Sequence, residues 1–173
     1  MGKLSASRCF SMQGPGTPAP PTGLPLGEGR AKDALEQCDA AAICAGLSEK
    51  CFLAGRVKWM RDYSSAPMLE RYLWVETAGL AHAEGWPTCI GQSTTRILSE
   101  LAVMETLEPA IYGQEGARVL FFGTKTKIHP DKVWAPWEKV GWRSRYQATW
   151  EILERWADVA ASHIAYRQRG NDD

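Results

Sequence analysis

The amino-acid sequence predicts an all-α fold: a compact helical domain with a helix-turn-helix-like unit near its C-terminus and a long final helix. Three observations predict it. From Ala31 onward the chain is rich in alanine, leucine, glutamate and lysine, its apolar residues recur at three- and four-residue spacing, and the alternation of a half-buried strand is nearly absent. With 173 residues there is room for one domain, since single domains commonly run to roughly 100–200 residues. Hydrophobic residues at 45% and eight tryptophans supply the apolar surface for one core.

Residues 1 to 30 form a proline- and glycine-rich stretch without helical or strand period. Such a composition buries too little apolar surface to offset its conformational entropy, so a disordered tail is expected there, with residues 31 to 173 as the helical domain. The first helix is expected over residues 31 to 46, where Ala34, Leu35, Cys38, Ala41, Ala42 and Ala45 fall at helical spacing and Gly46 suits the closing position. The second begins at Ser48, whose hydroxyl can cap orphan amides, and runs to residue 63 with Leu53, Val57 and Met60 on one side. Lys50, Arg56, Lys58 and Arg61 are read as its solvated surface.

Pro67 suits the first turn of a third helix, because its missing amide would be an orphan there. That helix is expected to reach residue 84, where Gly85 and Pro87 stop it. Leu69, Tyr72, Leu73, Leu80 and Ala81 make its apolar stripe, and Trp74 and Val75 widen the stripe enough to predict burial on more than one side. A fourth helix starts near Ser93 or Thr94 and ends before Pro109, with Ile97, Leu98, Leu101, Met104 and Leu107 inward and Glu100, Glu105 and Glu108 on the wet face. A short helix over residues 115 to 122, broken at Gly123, leads through a polar turn over 124 to 128 into a second short helix that opens at Pro130. Pro136 and Gly141 should keep that second helix short or kinked. The last and longest helix spans residues 142 to 168, with Ile152, Leu153, Trp156, Val159, Ala160 and His163 on its inward stripe.

Several function classes are disfavoured by composition. The formal net charge is zero and the pI about 6.8, so a globally basic nucleic-acid coat is absent and any such contact must come from local clustering. Five cysteines, with no close CxxC pair, argue against a disulfide framework and a zinc-thiolate site, and reduced thiols in a cytoplasm are expected. No apolar run approaches the roughly 20 residues needed to span a bilayer, and no apolar export segment opens the chain, so no membrane partner is expected. No nucleophile elbow, phosphate loop, dinucleotide fingerprint or H-E-x-x-H pair occurs, so catalysis, metals and cofactors are not expected.

The local charge is found in the C-terminal third. Residues 118 to 145 hold seven bases, Arg118, Lys125, Lys127, Lys132, Lys139, Arg143 and Arg145, against Asp131 and Glu138, a local charge of +5. Phe121, Phe122, Trp134, Trp137, Trp142, Tyr146 and Trp150 are interleaved with or follow them. Cations displace condensed counterions from a phosphate backbone, and packed aromatics hold those cations in register. Double-stranded DNA is therefore the expected partner, with Lys125, Lys127, Lys132, Lys139, Arg143 and Arg145 as contacts. Trp134, Trp137 and Trp142 are expected to hold the two short helices together.

The blocks GRVKWMRDYSSAPMLERYLW and ILSELAVMETLEP, followed by W-x4-W-R-x-R-Y from Trp137 to Tyr146, resemble prophage regulators of the lambdoid late-gene antiterminator (Q-like) type. The resemblance covers roughly residues 45 to 165. It implies a helical regulator in a bacterial host cell that binds duplex DNA at a late promoter, boards paused RNA polymerase and carries it through terminators. Relatives of the lambda type carry a cysteine-bearing zinc insert before the second short helix. The corresponding residues 110 to 117, AIYGQEGA, contain no cysteine, so no zinc is implied here. Two other classes fit the residues less directly. One is an interaction module that inhibits or adapts a host protein, since tryptophan and arginine dominate binding hot spots. The other is a helical hydrolase, whose acids lack the spacing of a metal site.

Overall fold

In the computed structural model the described residues are 44–87 and 94–170, and the fold follows from how their apolar stripes pair. Among the described residues seven helices form, named here in chain order: α1 Glu49–Met60, α2 Ala66–Ala83, α3 Thr94–Leu107, α4 Pro109–Tyr112, α5 Glu115–Thr126, α6 Pro130–Lys139 and α7 Trp142–Gly170. No strand occurs among the described residues. The proline- and glycine-rich tail and most of the helix expected over residues 31 to 46 lie outside them. At the end of that stretch Gly46 has φ +87°, the left-handed conformation suited to a closing glycine.

The centre of the molecule is α3. Its Leu98, Leu101 and Ala102 are wholly buried, and Ile97, Val103 and Leu107 nearly so. Around it pack α2, through Leu69 and Leu73, and α7, while α1, with Phe52, Ala54 and Val57 buried, packs mainly against α7. Polar residues at this seam are paired in place: the Ser99 hydroxyl, buried beside Thr77, donates to the Thr95 carbonyl at 2.8 Å. On α7 the buried stripe is Tyr146, Thr149, Leu153, Trp156, Ala157, Ala160 and Ile164. The expected stripe was therefore rotated by part of a turn, and Val159 stands 48% exposed.

Helix ends are set by more specific means than their cap residues suggest. Ser48 makes no side-chain cap to α1; that helix stops before residue 63 because Arg61 turns left-handed (φ 53°) and carries its guanidinium to the Thr106 carbonyl of α3. Asp62 then braces the following turn, accepting from the Ser64 amide at 3.0 Å and from the Ser64 and Ser65 hydroxyls at 2.6 Å, with Arg56 at 2.5 Å. Burial pushes the Asp62 carboxyl up, but those donors and the Arg56 charge outweigh it and leave it below its ordinary range. On α2 the two expected wide-stripe residues face outward instead, Trp74 at 36% and Val75 at 66% exposure.

The greatest departure from expectation is at Gly123. It does not break α5, which continues to Thr126 and closes on Lys127 in the left-handed conformation (φ 58°). The glycine serves packing. A Cβ there would stand 3.0 Å from the Val133 Cγ2 of α6 and 3.1 Å from the Ile128 carbonyl oxygen, closer than such contacts normally allow. A side chain at that position would require Val133 or the Ile128 carbonyl to give way by a few tenths of an ångström. Gly123→Ala should lower stability by about 1–3 kcal/mol, seen as a shifted urea midpoint. Shortening the facing side chain, Val133→Ala, should recover part of that loss, and strictly additive losses in the double variant would contradict this account.

Candidate nucleic-acid interface

The two short helices α5 and α6 are joined by residues 127 to 129 and locked by local backbone bonds. The Ile128 amide donates to Gly123 at 3.0 Å, and the Lys132 and Val133 amides donate to His129 at 2.8 and 3.1 Å. Inside the angle between them, Val133 and Trp137 of α6 are fully buried with Phe122 of α5 and Trp142 of α7. Phe122 meets Trp137 edge-on at 5.2 Å and Trp142 at 5.7 Å, and Trp137 continues to Tyr146 at 6.3 Å. Trp137 and Trp142 thus clamp the unit, as their residue type suggested, whereas Trp134 is 48% exposed and holds nothing inside.

Beneath this unit lies a charge network centred on Glu105, an acid expected on the wet face of its helix. Glu105 is only 7% exposed. It receives two bonds from the Arg118 guanidinium, at 2.8 and 2.6 Å, and a third from the Tyr146 hydroxyl. Arg118 also reaches Glu115 at 3.4 Å and lies over the Tyr146 ring at 5.2 Å. Glu115 in turn accepts from the Trp137 indole at 2.6 Å. The bonded Glu105 carboxylate holds the Arg118 guanidinium protonated above its ordinary range. Burial first, then the bond to Glu105, pushes the Tyr146 phenol well above the ordinary tyrosine range. Glu105 stands four residues after Leu101 and seven after Leu98, on the buried stripe of α3, a position legible as inward from spacing alone.

The six cations expected at a DNA surface divide into two groups. Lys125 is ion-paired with Glu100 of α3, with its ammonium 5.3 Å over the Phe121 ring. Arg143 lies 3.8 Å from both Glu115 and Glu138. Arg145 is half-buried, donating to the Val140 carbonyl at 2.5 Å and resting 4.8 Å over Trp142 and 5.7 Å over Trp86. Lys127, Lys132 and Lys139 are exposed and have no ion-pair partner among the described residues. Lys127 caps the end of α5. Lys132 and Lys139, seven residues apart, share one edge of α6, while Asp131, Trp134 and Glu138 share another. His129 lies 3.4 Å from Asp131.

Among the described residues no three histidine, cysteine, aspartate or glutamate side chains gather in a way that could hold a metal, and no helix is long and apolar enough to cross a membrane. The chain matches no protein-family model, no curated protein and no solved structure. By architecture this is an all-α protein with a tightly packed bihelical unit, on whose surface Lys127, Lys132 and Lys139 have no ion-pair partner among the described residues.

Two outcomes test the buried network. Glu105→Leu, which strands Arg118 against the core, should cost about 3 kcal/mol, and the paired replacement with Arg118→Met should cost less than the single change; urea denaturation of the three variants measures both. The second outcome concerns alkaline pH. A group whose folded-state pKa is raised contributes stability that is complete below its unfolded value and is lost as pH climbs beyond it. Stability should thus hold to about pH 10 and then fall, and the fall should be shallower in Tyr146→Phe, as followed by thermal melts across alkaline buffers.

Proposed function

We propose that the protein is a non-catalytic transcription regulator of the prophage kind, binding double-stranded DNA through α5, α6 and the turn between them. One observation carries the reading: Lys127, Lys132 and Lys139 project unpaired from a two-helix unit fixed by its aromatic interior, whereas the cations beside them already have internal partners. Unpaired ammonium groups can neutralise phosphates at no cost of broken ion pairs, and a rigid platform limits the side-chain entropy lost on contact. Two helices around a short turn have the proportions of a helix-turn-helix, in which the second helix enters the major groove and the first crosses the backbone. On that geometry α6 is the recognition helix, with Lys132 and Lys139 along its contacting edge and Lys127 reaching the adjacent phosphate.

Of the six cations expected from sequence, Lys127, Lys132 and Lys139 are the primary contacts in this reading. Lys125, Arg143 and Arg145 act nearby once released from, or as extensions of, their internal pairings. Late-gene antitermination, with bacterial RNA polymerase as second partner, rests on the motif resemblance across residues 45 to 165. A different observation favours a second reading. Trp134 stands 48% exposed on the other edge of α6 between Asp131 and Glu138, and an exposed tryptophan among charges is a common anchor of protein interfaces. Under that reading the partner is a host protein, and its contact survives nuclease treatment.

The DNA reading is tested by titrating labelled duplex at several salt concentrations. Changing Lys127, Lys132 and Lys139 together to alanine should weaken binding to all sequences alike and flatten the dependence of log affinity on log salt by about three units. An unchanged slope would sink the assignment.

A further inference from the structure

We infer that Glu100 of α3 is an internal competitor for DNA, holding Lys125 in the free protein and so setting how strongly the bihelical unit binds phosphate. The inference rests on the DNA-binding reading and deepens it. Lys125 lies in the last turn of α5, two residues before the Lys127 cap, and its side chain is 42% exposed, so it stands at the border of the surface that carries the unpaired lysines. Instead of pointing to solvent it is bound to Glu100, which comes from a different helix, twenty-five positions earlier in the chain. A pair on a solvated surface is weak enough for a phosphate to displace, and rotation about lysine side-chain torsions is all the exchange requires.

The acid is not an isolated one. Burial first, and then the nearby Glu100 charge, push the carboxyl of Glu70 on α2 above its ordinary range, with Arg96 at 3.5 Å and Lys125 opposing that effect. Lys125 therefore balances two acids in the free state. When a phosphate draws it away, the repulsion between Glu70 and Glu100 is opposed by Arg96, 3.5 Å from Glu70, without the help of Lys125. Binding at this edge of the interface is thus opposed both by a broken pair and by an uncovered repulsion, and removing the Glu100 charge relieves both.

The test is a double-substitution cycle on the full chain, read as affinity for a labelled duplex at low salt. Glu100→Gln should tighten binding about threefold to fivefold, the range expected for release of one surface pair. Lys125→Ala should change the wild-type affinity little and should abolish the gain in the Glu100→Gln background. Loss of one negative charge anywhere on the molecule also strengthens DNA binding, but that general effect is indifferent to Lys125, so equal effects of Lys125→Ala in both backgrounds would overturn the inference while leaving DNA binding intact. Failure of the wild type and every variant to bind duplex would overturn both readings. Thermal melts of the same variants verify that each is folded.

Discussion

The buried carboxylate of Glu105 is the constraint around which the described fold is arranged. A charge so placed in the apolar stripe of α3 is costly unless its oxygens are fully bonded. Arg118 from α5 and Tyr146 from α7 supply those bonds. Three helices are thereby fixed relative to one another in depth and in rotation, because sliding any of them by a turn would leave an ionised group without a partner. Hydrophobic packing of Leu98, Leu101, Phe122 and Leu153 supplies the bulk of the driving force, but it tolerates shifts that a bidentate guanidinium–carboxylate pair does not. The indole bond from Trp137 to Glu115 extends the same specification to α6.

That arrangement determines how much charge reaches the surface. Of the seven bases in residues 118 to 145, Arg118 lies largely inside, Arg145 is stacked between Trp86 and Trp142, and Lys125 and Arg143 are met by carboxylates. The sequence charge of +5 overstates the field at any single face, because Glu100, Glu105 and Glu115 come from outside the counted window. What remains among the described residues is Lys132 and Lys139 along one edge of α6 and Lys127 at the end of α5, rather than a broad basic surface. A chain of zero net charge with so few uncompensated cations generates little long-range field for any polyanion.

The helical architecture was legible in the sequence to within a few residues at most ends. Thr94, Pro130 and Trp142 fall where start signals placed helix openings, and the helix expected to end before Pro109 does so, whereas the short helix Pro109–Tyr112 was not expected. The misjudged details have common physical causes. Gly123 was read by its backbone freedom, when its use is the absence of a side chain facing Val133. Glu105 was assigned to water by its charge, although its spacing from Leu98 and Leu101 put it inside. Val75 and Val159 were assigned inward by hydrophobicity, although neither faces the core. Pairings such as Lys125 with Glu100 or Lys58 with Glu154 depend on which helices become neighbours, and a one-dimensional charge window carries no such knowledge. The candidate cations were thus identifiable as residues, while their division into paired and unpaired sets was not.

The packing of α1 on α7 has a bearing on how the chain is made. Ala45, just before α1, accepts from His163 and Arg167 near the far end of α7, so the first and last described helices are side by side. The part of the α1 surface that meets α7 is covered only once α7 has been synthesised. A chain that has made α1 but not yet α7 therefore leaves that surface open to solvent, and apolar surface exposed in this way during folding favours aggregation.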